Sequence, residues 1–589
     1  MSEGEGAETL RVQRLGAPRS IRQMIECNLE RLQPEEQMVL ESASVVGAEF
    51  SAAAVAAALD RSQDEIEACC LRLSRREQFI SAQGPIAWPD GTIAASFRFH
   101  HALYQEVLYD LLPTGRQTQL HRRIAEREEA GYGERAGDIA TELASHYDRA
   151  NDKSKAIQYL QLAGERAVAR SAMVEAEHHY VRARDLLGEL PHSVDRDRRE
   201  LPLQIALGTV LWSSKSWSHP EVVRASKRAQ ELADKLGENG QLVMVLYGVA
   251  AAISFSGQYK ASKVAAERML VAAERSGDRA SLCAANYQVG IARVCLAEFD
   301  EARKHLELAS GYYDETDSSR LNVCGVDAPA LEAIATLLLG FPARAKQLLN
   351  ESLRRMAHCQ DPFHVGAVHF WAGGLYILLR DPQRTLEHSE ALSLLAVKQP
   401  AWTGVANYYA GEALLMQGKQ EEGGTRVRSS IDFFKAVGLE GMATWPKLAE
   451  AELVASQGNV DDALTMIADV LRDTEELAYL KSPALRQRAK LLVQKGANST
   501  TIEAAHRAAI ECARSQGARY YELQAVTHFA RWLESQGRTA EAQTLLREIY
   551  GWFTEGFDTS ALKEAKALFD ELSDEPALPR RCNKLAKKQ

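Results

Sequence analysis

Two adjacent histidines, His100 and His101, stand in the stretch "SFRFHHALYQEVLYDLLP". Paired imidazoles could relay a proton or meet a phosphate. A nucleophile relay, however, needs a Ser or Cys and an acid at recognisable spacing, and none accompanies them. They read as hydrogen-bonded residues at a strand-to-helix junction. A second group, "HCQDPFHVGAVHF", offers His358, Cys359, His364 and His369 as nitrogen and sulfur donors. Pro362 splits it between two helices and the spacing matches no ligand set, so helix-end histidines are favoured over a metal site. The nine cysteines are scattered singly except Cys69-Cys70, with no CxxC, which reads as reduced intracellular thiols. There is no GxxxxGK[ST] and no HExxH. No catalytic residue, no cofactor and no metal is therefore expected, and the chain reads as something other than an enzyme.

The totals agree with a folded soluble protein. A chain of 589 residues exceeds what one core usually holds, so several domains or a repeat array are expected. Hydrophobic residues make up 46% and charged ones 25%, ordinary for a folded soluble protein. The formal charge of −10 argues against a general nucleic-acid binder. The first twenty residues lack the apolar core of a signal peptide, and no run long enough to span a membrane stands out, so a cytoplasmic protein with no membrane partner is expected.

The elements around the histidine pair come first. Residues 1–19 read as a disordered N-terminus and 20–113 as a small domain. Ser20 and Gln23 suggest a capping box, after which Ile21, Met24, Ile25, Leu29 and Leu32 fall on one helical face. Pro34 opens a second helix, Ser51 caps a short Ala-rich one, and Ser62 with Glu65 starts another. The period then becomes two, with Ile93, Ala95, Phe97 and Phe99 alternating and Pro89-Asp90-Gly91 as a hairpin turn. Leu103, Val107, Leu108 and Leu111 stripe a return helix that Pro113 ends. Helices followed by a β-hairpin make a winged-helix pattern. Its candidate recognition helix balances Asp64, Glu65, Glu67 and Glu77 against Arg72, Arg75 and Arg76, which favours docking on a protein over reading DNA.

Residues 114–155 read as a helical adaptor and 156–575 as about nine to ten helical hairpins. The clearest unit, "NYQVGIARVCLAEFDEARKHLELASGYYD", places Gly290 in a first helix and Ala302 and Ala309 in a second. Gly164, Ala176 and Ala183 fit the same marks, and weaker versions recur around Ala261, Ala345, Gly423, Ala463, Ala505 and Ala542. A recurrence of roughly 40 residues signals stacked two-helix repeats, with Gly or Ala where helices cross at short range. The fold class is thus mainly α: a small winged-helix domain followed by a superhelical α-solenoid. "TSALKEAKALFDEL" looks like a terminal capping helix, and 576–589 like a basic disordered tail.

"PRSIRQMIECNLERLQPEEQMVLESASVVGAEFSAAAVAAAL" and "FRFHHALYQEVLYDLLP" resemble the winged-helix segment that follows the ATPase core in bacterial STAND-type predicted ATPases, which are often fused to cyclase, kinase or transcription-regulator domains. "ARSQGARYYELQAVTHFARWLESQGRTAEAQTLLREIYGWFTEGFDTSALKEAKALFDEL" is similar to that family's terminal tetratricopeptide (TPR) repeats. The resemblance implies a winged helix that packs on a nucleotide-binding domain and a TPR superhelix that senses a ligand or partner. By the same resemblance His101 matches the histidine of an F-x-H-x-L motif and would meet nucleotide phosphates. This sequence begins after the point where the ATPase core should have ended, which leaves three expectations: a separate P-loop ATPase or cyclase polypeptide, a truncated reading frame, or a module that has lost nucleotide control. The expectation is a non-catalytic signal-transduction protein binding protein or peptide partners on its concave face; the alternative is a DNA-binding transcription regulator with a TPR sensor.

Overall fold

Proline at the first helical position and acids behind it begin "PEEQMVLESASVV", where a missing N–H costs nothing. Glu36 accepts from the Gln33 N–H at 3.2 Å and closes a capping box. In the computed structural model, which describes residues 19–170, 172–214, 220–237, 239–317, 319–397 and 399–573, the chain divides into two compact units, Met1–Ser214 and Lys215–Gln589. Of the ends expected to be disordered, 1–19 and 576–589, all but Arg19 lie outside the described residues, and Arg19 is helical.

The first unit opens with α1 (Arg19–Leu29), α2 (Pro34–Val46), β1 (Glu49–Ser51), α3 (Ala52–Leu59), α4 (Gln63–Ser74), β2 (Ile80–Ala87), β3 (Ile93–Phe99) and α5 (Ala102–Leu111). Ser51 and Ser62 cap α3 and α4 by accepting from the Ala54 and Glu65 N–H groups. The three strands form an antiparallel sheet of order β1-β3-β2, with Phe50 opposite Phe97 and Ile80 opposite Phe99. Strand β1, only three residues long, escaped the reading of the sequence. Ile25, Leu40, Ile66, Leu73, Phe79, Phe97 and Val107 share one core. Ser20 lies inside α1, which begins at Arg19, rather than capping it; the side chains of Ser20 and Ile21 lie outside the described residues. Met24, Ile93 and Leu111, placed on buried stripes from the sequence, are exposed: Ile25 and Leu112 beside them point inward, and Ile93 sits at the hairpin end.

The hairpin turn is tied down. Arg127 of α6 (Thr114–Tyr132) donates to Asp90 at 3.0 Å and Thr92 at 2.7 Å, and its guanidinium lies 4.6 Å from the Trp88 ring. A 3-10 turn, Gly133–Ile139, leads to α7 (Ala140–Arg149), α8 (Lys153–Ala169), α9 (Met173–Gly188) and α10 (Val194–Ser214). Gly164 lets α9 close on α8: a Cβ there would lie 2.4 Å from the Tyr180 ring.

The second unit is helical throughout its described residues. After α11 (Pro220–Leu236) come eight hairpins: α12 (Asn239–Phe255) with α13 (Tyr259–Ser276), α14 (Arg279–Cys295) with α15 (Phe299–Tyr312), α16 (Cys324–Leu338) with α17 (Pro342–Met356), α18 (Pro362–Leu379) with α19 (Pro382–Ala396), α20 (Trp402–Met416) with α21 (Gln420–Ala436), α22 (Thr444–Ser456) with α23 (Val460–Asp473), α24 (Lys481–Gln494) with α25 (Ser499–Ser515), and α26 (Arg519–Ser535) with α27 (Thr539–Tyr550). α28 (Ser560–Leu572) closes the array, burying Leu562, Phe569 and Leu572.

One position recurs through the second helices. Four residues past each N-cap stands a small buried side chain: Ser262, Ala302, Ala345, Thr385, Gly423, Ala463 and Ala542, with Ile502 of α25 the departure. Small side chains let the paired axes approach. The inner turn of each hairpin uses the left-handed backbone region, supplied by glycine at 257, 340, 418, 458, 496 and 537 but by Ala297 and Arg380 in the other two.

The array curls until early hairpins touch late ones. Glu476, in the loop after α23, accepts from the Lys260 N–H at 2.9 Å in the first turn of α13. Glu555, after α27, accepts from the Ala343 and Arg344 N–H groups at 2.9 and 3.1 Å at the start of α17. Each carboxylate thus sits on the positive end of a helix distant in sequence. Lys346 pairs with Asp558 at 2.7 Å and Arg380 with Glu564 at 3.0 Å along the same seam.

One helix among the described residues, Pro362–Leu379, is long and apolar enough to cross a membrane, although the sequence reading found no such run. Half of it is buried within the array, and His364 on it pairs with a carboxylate, as a core helix does.

Candidate ligand-binding cavity

The first helices of successive hairpins line the inside of the curl, and side chains four residues apart on one helix share its inner face. α20 presents Tyr408 and Glu412, α22 presents Leu448 and Glu452, α24 presents Arg486 and Lys490, and α26 presents Gln524 and His528; all border a cavity of about 700 Å³. That lies within the range of small-molecule sites.

One wall is aromatic. Phe370 and Trp371 of α18 meet edge to face at 4.5 Å, and Trp445 stands 6.1 Å from Phe370. Tyr409 holds the Phe370 carbonyl at 2.5 Å, the Trp371 indole N–H reaches Tyr287 at 3.3 Å, and Trp445 donates to Tyr479. These bonds fix the rings while Phe370, Trp371, Tyr408, Trp445 and Tyr479 stay only partly buried.

The other wall is charged. Lys490 pairs with Glu452 at 2.6 Å, and Arg380 with Glu564. Glu452 and Lys490 keep 61% and 42% of their side-chain surface accessible and border the cavity. Burial raises the Glu452 carboxyl, but Lys490 outweighs it and holds the group below the usual range. Among the described residues Glu412 has no basic partner: burial, with Glu452 adding to it, outweighs a hydrogen bond with Tyr408 and pushes its pKa up to about 7.

Arg486 differs from its neighbours. Its hydrogen bond goes to neutral His528, 3.5 Å from Nε2, and among the described residues no carboxylate comes within 4.0 Å of its guanidinium. Burial and then Arg380 push its pKa down. Burial, followed by Arg486 and Lys490, drives His528 to about 2, so the imidazole stays neutral and can only accept from the guanidinium.

The residues singled out in the sequence lie elsewhere. The His101 imidazole caps α5, its Nδ1 accepting from the Leu103 N–H at 3.1 Å, with the side chain exposed. Ala176 and Ala183 are buried on α9, Ala302 and Ala309 on α15, and Ala345, Ala463 and Ala542 on their second helices. A Cβ on Gly290 would lie 2.5 Å from Leu306. Ala261 is a correction: it is exposed, and its neighbour Ser262 faces the partner helix, bonded to Ser254 at 2.6 Å and to the Ala250 carbonyl at 3.0 Å. Of the four candidate donors in "HCQDPFHVGAVHF", His364 pairs with buried Asp327 at 3.0 Å and His369 with His388 at 2.8 Å. No group of metal-ligating side chains forms among the described residues. Burial opposes charge on His364, yet Asp327 keeps its pKa well above the usual imidazole value. The cavity residues went unnoticed in the sequence. Their signal was an aromatic or charged residue recurring once per repeat on a first helix, which in one dimension looks like core packing.

No protein-family model matches the chain. An uncharacterized protein of Rhizobium meliloti is 23% identical over 440 residues, 72% of this chain and 42% of that protein, so the chain spans under half the length of this curated relative. Among solved structures, a STAND protein with a tetratricopeptide repeat sensor from Pyrococcus horikoshii is similar over 94% of this chain and 68% of its own, at 13% identity and a TM-score of 0.31. NprR in complex with its cognate peptide NprX is similar over 57% and 93%, at 12% identity and 0.37. Yeast Tom70 is similar over 71% and 96%, at 14% identity and 0.32.

Proposed function

We propose that this chain is a non-catalytic regulatory protein: a TPR-like array that takes a peptide, protein or small ligand on its inner face, joined to a winged-helix module that docks on an ATPase or signalling domain. The observation that carries the reading is the inner cavity, where fixed aromatic rings and charges converge without a nucleophile, base and orienting group in line. In the first unit, the tie between the hairpin turn and Arg127, and the ion pair of Arg76 with Glu36 at 3.0 Å, take up groups that a DNA reader would keep for phosphates. His101, exposed beside α5, is the residue proposed to meet the nucleotide of a separate P-loop domain. The test is affinity capture from the native cytosol with the full chain, followed by hydrogen exchange on the complex. Protection of α18, α20, α22 and α24 is the expected result; capture that leaves those helices unprotected overturns the inner-face assignment.

A further inference from the structure

We infer that the cavity of the second unit is a receptor site for an organic carboxylate carried on an aromatic or large apolar body, with Arg486 as the anion-binding group. This rests on the reading of the inner face as the binding surface and goes further by naming the chemistry it selects.

The argument begins with Arg486. A guanidinium enclosed by protein is tolerated when a carboxylate neutralises it, and the two cations flanking it have theirs: Glu564 for Arg380 and Glu452 for Lys490. Among the described residues Arg486 is hydrogen-bonded only to the neutral imidazole of His528, with the Glu452 and Glu564 carboxylates acting on it from beyond ion-pair distance. Of these three cations Arg486 alone lacks a carboxylate within 4.0 Å, and its planar donor fork matches one. Across the cavity, Phe370, Trp371, Tyr408 and Trp445 supply a pre-oriented aromatic wall. A third feature is the backbone of Arg380. It occupies the left-handed position that six of the eight hairpin turns fill with glycine, at φ 55°. Ala297 shows the same strain elsewhere, so what sets Arg380 apart is that its side chain borders the cavity, paired with Glu564.

A free aromatic acid and the C-terminal carboxylate of a peptide ending in an aromatic residue offer the same chemistry. The full chain is titrated calorimetrically with 3-indolepropionate, its primary amide, and the tripeptide Ala-Phe-Trp with free or amidated C-terminus. The expected result is that at least one acid binds about tenfold or more tightly than its amide, and the tighter acid identifies the source. Arg486→Gln removes that preference while raising the melting temperature of the free protein by roughly 1–3 °C; Arg486→Lys keeps part of the preference. A structural arginine would lower the melting temperature instead. Equal binding of acid and amide, no binding of either acid, or an unchanged preference in a folded Arg486→Gln protein overturns the assignment. If amidated peptides alone protect the inner helices in hydrogen exchange, the anion assignment falls and the scaffold reading stands. If the acids bind and no peptide or protein is captured on those helices, the assignment stands and the proposed function keeps only its small-ligand form.

Discussion

Gly257 and Gly441 meet backbone to backbone across the curl of the second unit: a Cβ on Gly257 would stand 2.8 Å from the Gly441 Cα. Gly257 also has φ +82°, and Gly418, in an equivalent turn, has φ +81° with nothing within 4 Å of its Cβ position. The pair separates two costs. Gly418→Ala should lose about 1 kcal/mol, from the left-handed backbone alone. Gly257→Ala should lose about 2–4 kcal/mol, the excess coming from the contact across the curl. Urea denaturation of both variants measures the difference, and equal losses would mean that these turns do not touch.

The two distant carboxylate caps make a second prediction. Glu555→Gln keeps the shape but weakens the charge-assisted bonds to the Ala343 and Arg344 N–H groups and should cost about 1 kcal/mol. Glu476→Gln should behave alike at Lys260. Combined, they should increase the radius of gyration seen by small-angle scattering, because both act along one seam. An unchanged radius with an unchanged denaturation midpoint would assign these carboxylates no part in closure.

A stabilising change follows from the turn at Ala297, which adopts φ 60° where other hairpins place glycine. Ala297→Gly removes the Cβ strain but adds freedom to the unfolded chain, leaving a gain of about 0.5–1 kcal/mol. Thermal melting reads it directly, and a loss would show that the Ala297 methyl, 8% exposed, packs better than its backbone suffers.

Acid should weaken the first unit. His121 and His146 share a 2.8 Å contact between their Nδ1 atoms, with the Tyr109 hydroxyl 3.0 Å from His121 Nε2. Burial first, then His146 and Arg149, lowers His121 to about 3, and burial with Arg149 lowers His146 to about 4. Glu128, 4.0 Å from His146, offers little counter-charge because burial and Glu142 raise its own pKa to about 7. Folded pKa values below the unfolded value of 6.5 mean that the unfolded chain binds more protons under that pH. The contribution is complete above pH 6.5 and is lost as pH falls toward 4. Glu128 works the other way, its raised pKa adding stability as pH falls, but two imidazoles outweigh one carboxyl, so melting followed between pH 7 and 4.5 should show a net decline that His121→Phe flattens; a flat wild-type profile would refute it.

Periodicity carried the array into view because repeated small residues at helix crossings have one mechanical cause, and Gly164 and Gly290 were legible on that ground. The Ala261 register slipped by one residue because "KASK" offers Ala and Ser side by side, and only the hydrogen bonds of Ser262 to Ser254 and Ala250 decide which turns inward. Ala261→Leu should change stability by less than about 0.5 kcal/mol, and Ser262→Leu should cost about 1–3 kcal/mol. Thr385 stayed hidden because it is neither Gly nor Ala and Arg380 replaces the turn glycine before "DPQRT", although it is fully buried at the equivalent position. The cavity was illegible for a different reason. Arg486 matters through what fails to stand next to it, and a missing neighbour leaves no trace along one strand of letters.

Stacked hairpins that touch only their immediate neighbours melt like a zipper, fraying from either end. Where the Glu555 carboxylate sits on the start of α17, that zipper is buttoned to itself: loosening the last hairpin deprives a much earlier one of its cap. The second unit should then give way in a single sharp transition rather than by gradual erosion, and whatever enters its interior must do so through breathing of the seam or through the open ends of the coil.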